Sequence, residues 1–178
     1  GMLISNELVS MLKEKSCMAK LLEFLAYCFY PTRALGSFQS KTDFDEHVSS
    51  HDIRTLKSER VRSNQEAQIA NWLFLHGIEY IYEAEYKGVE TGSETKRVYK
   101  PDFYLPRYNI YIEHFGIDRD GNTAHWIPKE EYTADMQWKR ALHKSNETTL
   151  IETYSYQAFE GVLNSCLQSQ LELYDVSL

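Results

Sequence analysis

The sequence predicts an α/β domain, a mixed four-stranded sheet flanked by helices, with an N-terminal helical arm ahead of it. Three observations predict it. Apolar residues recur at three- and four-residue spacing in several segments, the period of helices with one buried face. Between them lie short runs that alternate, or are rich in β-branched and aromatic residues, the period of strands. A serine-led helix cap at Ser63 and a proline-led turn at Pro106–Asn109 punctuate these segments and give their order.

The arm comes first. Val9, Leu12, Met18, Leu21, Leu22, Leu25 and Phe29 mark a helix from Ser5 to about Tyr30, stopped by Pro31. Gly1 ahead of Met2 reads as a tag residue, and no signal-peptide pattern follows it. Residues 31–62 carry mixed signals: a turn around Gly36-Ser37, a short helix after Thr42, then a charged connector. The expected boundary therefore falls here, with an arm and connector over residues 1–62 and the main domain over 63–178.

Ser63-Asn-Gln-Glu66 is a capping box, in which the serine accepts the third helical N–H and the glutamate reaches back. Ile69, Ala70, Leu73 and Phe74 continue on one face, and Gly77 ends the helix. Tyr80–Tyr86 alternates as a strand, and Gly88–Lys96 is a polar loop. Arg97–Leu105 is a second strand, turned by Pro106–Asn109 into a third, Ile110–Phe115. A long loop, Gly116–Lys129, precedes a helix over Glu130–His143, a fourth strand over Thr148–Tyr154 and a closing helix from Tyr156 to about Tyr174. The order from Asn64 is α-β-β-β-α-β-α. A helix between the third and fourth strands implies a crossover, so the fourth strand should run parallel to a neighbour in a mixed sheet.

Composition narrows the function. The chain has 178 residues and a net charge of −7, which counts against unaided DNA binding, because Lys and Arg on phosphates supply most non-specific affinity. No apolar run reaches the roughly 20 residues of a membrane span, so no membrane partner is expected. Cys17, Cys28 and Cys166 are odd in number and widely spaced, which favours free thiols in a reducing cytoplasm over a disulfide framework or a zinc site.

The chemistry-bearing pair is Asp102 and Glu113. They lie eleven residues apart on strands joined by a tight turn, which brings them near each other. Like carboxylates held close repel, and a divalent cation relieves the repulsion. Mg²⁺ suits one or two protein carboxylates completed by phosphate oxygens and waters. For either acid alone a turn or exposed strand end is the better reading; together they favour a site.

Pro101-Asp102 followed by Glu113, behind a helix bearing Glu66, resembles the PD-(D/E)XK nuclease core, a restriction-endonuclease-like αβββαβ arrangement. The closer resemblance is to the nuclease-like domain inserted in some UvrD/helicase IV-like superfamily-1 DNA helicases. It is carried by Ser63-Asn-Gln-Glu-Ala-Gln-Ile-Ala-Asn71, Tyr99-Lys-Pro-Asp-Phe-Tyr-Leu-Pro106, Tyr111-Ile-Glu-His-Phe-Gly116, Trp138-Lys-Arg140 with His143, and Leu150-Ile-Glu-Thr-Tyr-Ser155, over roughly residues 60 to 175. The resemblance implies hydrolysis of DNA phosphodiesters with Mg²⁺ or Mn²⁺ on Asp102 and Glu113, assisted by Glu66. It also implies that the chain is a piece of a longer protein, partnered by helicase motor domains of the same polypeptide. No Walker A motif occurs, so this piece is not itself an ATPase.

One family position departs: two residues after Glu113 stands Phe115 where the pattern has lysine. Lys139 on the following helix is the first substitute, by analogy with nucleases whose lysine has moved there. Lys100, on the Asp102 face, and His114, beside the acid but on the opposite face by alternation, are the others. His143 lies one helical turn from Lys139 and reads either as a cleft residue or, more simply, as a surface histidine. Glu66 is explained equally by its cap or by the metal. His125-Trp126 reads as a loop anchor, with stacking on a base the alternative. The missing lysine and the acidic balance also fit a catalytically silent nucleic-acid-binding or regulatory module. A metal-independent carboxylate-pair hydrolase, such as a glycosidase, ranks far behind.

Overall fold

A computed structural model describes residues 35–87 and 98–177, together with Ser10, Lys13, Cys17, Met18 and Leu21. The arm helix expected over Ser5–Tyr30 lies outside these residues except at those few positions, of which Ser10, Cys17, Met18 and Leu21 are helical. The loop expected over Gly88–Lys96 also lies outside them.

After a short 3₁₀ turn at Leu35–Ser37, the elements are α1 (Lys41–Ser50), α2 (Asn64–Leu75), β1 (Ile81–Tyr82), β2 (Phe103–Leu105), β3 (Ile110–Phe115), α3 (Lys129–Ser145), β4 (Thr149–Tyr154), α4 (Ser155–Phe159) and α5 (Leu163–Glu172). The four strands form one sheet in the order β1-β2-β3-β4, antiparallel at the first two junctions and parallel between β3 and β4. This is the mixed α/β sheet the element order implies, with α3 as the crossover.

The two sheet faces are covered differently. On one, Phe103, Leu105, Ile110, Ile112 and Ile151 pack against Ile69 and Leu73 of α2 and Leu163, Leu167 and Leu171 of α5. On the other, Tyr86, Tyr99 and Tyr111 pack with Trp138 and Leu142 of α3. β3 is therefore enclosed on both sides, with five of its six residues buried, and this explains its nearly continuous apolar reading. Connector residues Ile53 and Val61 pack on Ala67 of α2, so the segment before residue 63 is seated against the sheet domain. Leu56 N–H adds a bond to Asn71 Oδ1 at 2.7 Å.

Three expected elements are shorter or broken. The strand expected over Tyr80–Tyr86 is regular only at Ile81–Tyr82, because Glu83 turns to φ 48°. The backbone nevertheless stays in contact: Glu83 N–H donates to Asp102 O at 3.0 Å and Tyr86 N–H to Tyr99 O at 2.9 Å. The strand expected from Arg97 begins at Phe103, just after Pro101, which lacks an N–H for the ladder. The closing helix is split by Gly161 at φ 72°, a left-handed conformation that glycine adopts without a Cβ clash. Phe159 and Val162 are exposed at the break.

Ser63 caps α2 as expected, accepting Glu66 N–H at 3.1 Å. Glu66 reaches back to Arg62 N–H at 3.0 Å, the residue before the cap.

Ile112 has no exposed surface, so Ile112→Ala should cost about 2–5 kcal/mol in denaturant unfolding. Ser63→Ala should cost about 1 kcal/mol. An unchanged Ile112→Ala midpoint would contradict the enclosed sheet.

Candidate active site

The site is made by strand register. Phe103 pairs with Ile112 and Leu105 with Ile110. One further step of that antiparallel register sets Asp102 across from Glu113, and residues directly opposite in such a pair share a face. The two acids predicted from spacing therefore meet at the open end of the β2–β3 hairpin.

Their environments differ. Asp102 Oδ2 accepts His114 N–H at 2.6 Å. Desolvation, and after it the charges of Glu113 and Glu66, hold its pKa well above the ordinary carboxylate range, against the pull of His114 N–H and Lys139. Glu113 is 2% exposed. Its Oε2 accepts Lys139 Nζ at 2.7 Å and its Oε1 accepts Tyr99 O–H at 2.8 Å. Desolvation still raises it, although Lys139 and Tyr99 oppose the shift. Glu66 accepts Tyr82 O–H at 2.6 Å and is also raised, chiefly by desolvation. Lys139 lies 3.6 Å from Asp135 one helical turn earlier, so two acids share its ammonium.

The lysine that reaches Glu113 comes from α3 and not from the position of Phe115. Phe115 projects from β3 on the Glu113 face, and Lys139 Nζ stands 5.4 Å from its ring centroid, reaching Glu113 from α3. Lys100, by contrast, is exposed. His114 is on the opposite face, as alternation requires. Its Nδ1 lies 2.9 Å from Thr153 Oγ1 and its Nε2 lies 2.8 Å from Gln65 Oε1. Burial lowers it to about 4, so the ring is neutral.

His143 is not at the surface. It is 2% exposed, set among Tyr86, Tyr99 and Tyr111. Burial, and then the Lys139 charge, lowers it to about 4. It belongs to a chain whose direction follows from one constraint: Tyr99 gives its only proton to Glu113. His143 Nε2–H must then donate to the Tyr99 oxygen (3.1 Å), leaving Nδ1 to accept Thr148 Oγ1–H (2.8 Å). Tyr86 O–H completes the line by donating to Thr148 Oγ1 at 2.8 Å. The chain presents a fixed donor to one oxygen of Glu113 while Lys139 holds the other.

Other side chains near the acids carried weaker signals. Asp135 is findable as the i−4 partner of Lys139 on α3. Tyr99 and Tyr132 are not, since nothing separates them from packing tyrosines. Glu152 pairs with Glu113 in the β3–β4 register but is neutralised by Arg140, with bonds of 2.6 and 2.7 Å. Tyr154 donates to Glu152, and Gln137 is exposed.

Among the described residues, no group of three or more His, Cys, Asp or Glu side chains is disposed to enclose a metal ion. The donor set fits a different kind of site. Two oxygen-bearing carboxylates with unfavourable ionisation match a hard cation completed by phosphate and water. No family model, curated protein or solved structure matches this chain.

Asp102 costs stability when ionised, because folding raises its pKa above the ordinary 3.8. Its favourable contribution is present only when it is protonated and is lost as pH rises through the folded value. Asp102→Asn should therefore raise the thermal midpoint at pH 8. The advantage over wild type should shrink as pH falls toward 4, a comparison in which the common destabilisation from His114 and His143 cancels. A lower midpoint for Asp102→Asn at pH 8 would contradict the electrostatic account.

Proposed function

We propose that this chain is a divalent-metal-dependent phosphodiester hydrolase acting on DNA, on a PD-(D/E)XK, restriction-endonuclease-like core. On this reading it serves as a cytoplasmic domain of a UvrD-like helicase, with motor domains of the same polypeptide as partners. The observation that carries it is the placement of Asp102 opposite Glu113 with Lys139 delivered to Glu113 from α3. Among the described residues no helix is long and apolar enough to cross a membrane.

Asp102 and Glu113 would hold Mg²⁺ or Mn²⁺, and Glu66 would bear on the same cation through its charge. Bound there, the ion supplies Lewis acidity toward a phosphoryl oxygen and lowers the pKa of its water. The protein's own residues do the rest. Lys139 places a positive charge beside Glu113, where charge develops on a transferring phosphoryl group. Tyr99 fixes the Glu113 carboxylate from the other side. His114 orients Asp102 through its backbone N–H while its neutral ring ties β3 to Thr153 and Gln65. Burial disfavours ionisation of both acids against the opposing pull of Lys139, so a bound cation would favour their charged forms.

A catalytically silent nucleic-acid-binding or regulatory module is the second reading, favoured by two observations. The net charge is −7, and Lys139 already forms an ion pair with Glu113.

Oligonucleotide cleavage with Mg²⁺ or Mn²⁺ separates the two. The hydrolase reading expects cleavage abolished by Asp102→Ala or Glu113→Ala and slowed on the order of 10²–10³-fold by Lys139→Ala. It also expects the wild-type thermal midpoint to rise with metal, by about 2.7 kcal/mol at a hundredfold excess over Kd, and Asp102→Ala to lose the effect. DNA binding without cleavage, with no metal-dependent stabilisation, would establish the silent module instead.

A further inference from the structure

A cavity of about 310 Å³ opens between α1, the first turn of α2 and the loop before α3. It lies on the opposite side of β3 from Lys139, and Glu66 is part of its wall. Its volume is at the lower end of ligand pockets, which run roughly 300–1,000 Å³, and matches one nucleoside-sized planar molecule.

Its aromatic wall is organised. Phe38 meets Phe44 edge-to-face at 5.3 Å, and Phe44 stacks with Trp126 at 5.6 Å and 29°. Each ring is thereby held in orientation by another. The loop tryptophan and α1 are held together at this contact.

Gln65, in the polar first turn of α2, completes the wall. Its Oε1 is committed, accepting Ser155 Oγ–H at 2.7 Å and standing 2.8 Å from His114 Nε2. His114 is neutral, so with Nδ1 accepting from Thr153 its single N–H points to Gln65. The carboxamide is thus locked by two donors on its oxygen, and its Nε2 amino group has no partner among the described residues while no buried polar atom is left unsatisfied. Two N–H donors of fixed orientation accordingly reach accessible space beside rigid rings. Planar heteroaromatics with acceptor atoms on their edge fit that combination.

Asp102 and Glu113 do not line the cavity, but two of its wall residues, Glu66 and Tyr132, interact with their charges. Glu66 acts electrostatically on Asp102. Tyr132, in the cavity wall, is pushed up to about 12, by desolvation first and then by the Asp102, Glu113 and Asp135 charges, with Gly116 N–H opposing.

We propose that this cavity receives one unpaired nucleobase of the strand whose phosphate lies at Asp102 and Glu113, with Phe44 and Trp126 as its aromatic wall and Gln65 as the donor to its edge. The inference rests on the nucleic-acid reading above and deepens it: a base still in a duplex presents neither its face nor its pairing edge, so the substrate is single-stranded, frayed or carries an extruded base.

The test is binding of the full chain in Ca²⁺ without Mg²⁺, comparing a thymidine dodecamer with the same sugar–phosphate strand lacking bases. Stacking of one base is worth roughly tenfold in affinity or more. The base-bearing strand should bind at least about tenfold tighter, and Phe44→Ala and Gln65→Leu should each remove most of that ratio. Equal affinity for the two strands, or no detectable binding of either, overturns the pocket, and both measurements use wild-type protein, so misfolded variants do not obscure them. A ratio unchanged by folded Phe44→Ala and Gln65→Leu variants overturns it as well. Cleavage that depends on Asp102 and Glu113 without any base preference removes this inference and leaves the hydrolase; a base preference without cleavage does the reverse.

Discussion

The site depends on an electrostatic constraint: Asp102 and Glu113 are held opposite each other by backbone register, where desolvation disfavours both charges. The register is in turn fixed by the apolar pairs Phe103–Ile112 and Leu105–Ile110, whose side chains have no place except between the sheet and α2 and α5. A slip of one residue would expose that whole set. The carboxylates cannot separate without unpacking the core, so their repulsion is imposed by hydrophobic burial. What relief the chain provides comes from one ammonium, Lys139, divided between Glu113 and Asp135, and from His114 N–H on Asp102.

Two histidines take different structural roles on the two faces of the sheet. His114 lies on the α2 face and ties β3 to β4 and α2 through Thr153 and Gln65. His143 lies on the α3 face and ends in Glu113 through Tyr99. Both rings are held near a pKa of 4 by burial, so at neutral pH each is a neutral connector with one donor and one acceptor. Their tautomers are dictated by neighbours with a single proton to give. Rigid chains of this kind leave a carboxylate few orientations, and a site working by electrostatics needs preorganised groups.

How much of this was legible in the sequence follows from the range of each interaction. The serine-capped helix α2, the periodic helix α3, and the alternating or β-branched strands β3 and β4 could be placed to within a residue or two. The Asp102–Glu113 pair was legible because the Pro106–Asn109 turn fixes the register of the strands it joins. The interruptions were not. A left-handed Glu83 and the split at Gly161 depend on how β1 and α5 must pack, which local propensity does not encode. The burial of His143 escaped for a related reason. Its partners Tyr99 and Tyr86 are 44 and 57 positions away in sequence, so a polar residue on α3 looks solvent-facing until the β2 approach folds over it. Lys139 was reachable only by resemblance, since the distance between α3 and Glu113 is set by the crossover and not by spacing.

The charge balance bears on how nucleic acid would be held under the proposed function. At a net charge of −7 the protein has little long-range attraction for phosphate, and Lys139 is engaged with acids of its own. Affinity must then come from short-range terms: metal–phosphate contact at the carboxylates and ring stacking at the Phe44–Trp126 wall. Such terms act only once the strand has arrived. Phosphate neutralisation works differently, drawing DNA in from beyond contact and weakening steeply with salt. A domain built on contact terms alone recognises a strand well but captures it poorly, and attachment to a motor that already holds DNA would supply the missing step by raising the local concentration. Under the proposed function, attachment to such a motor would account for the acidity that argues against an independent DNA-binding protein.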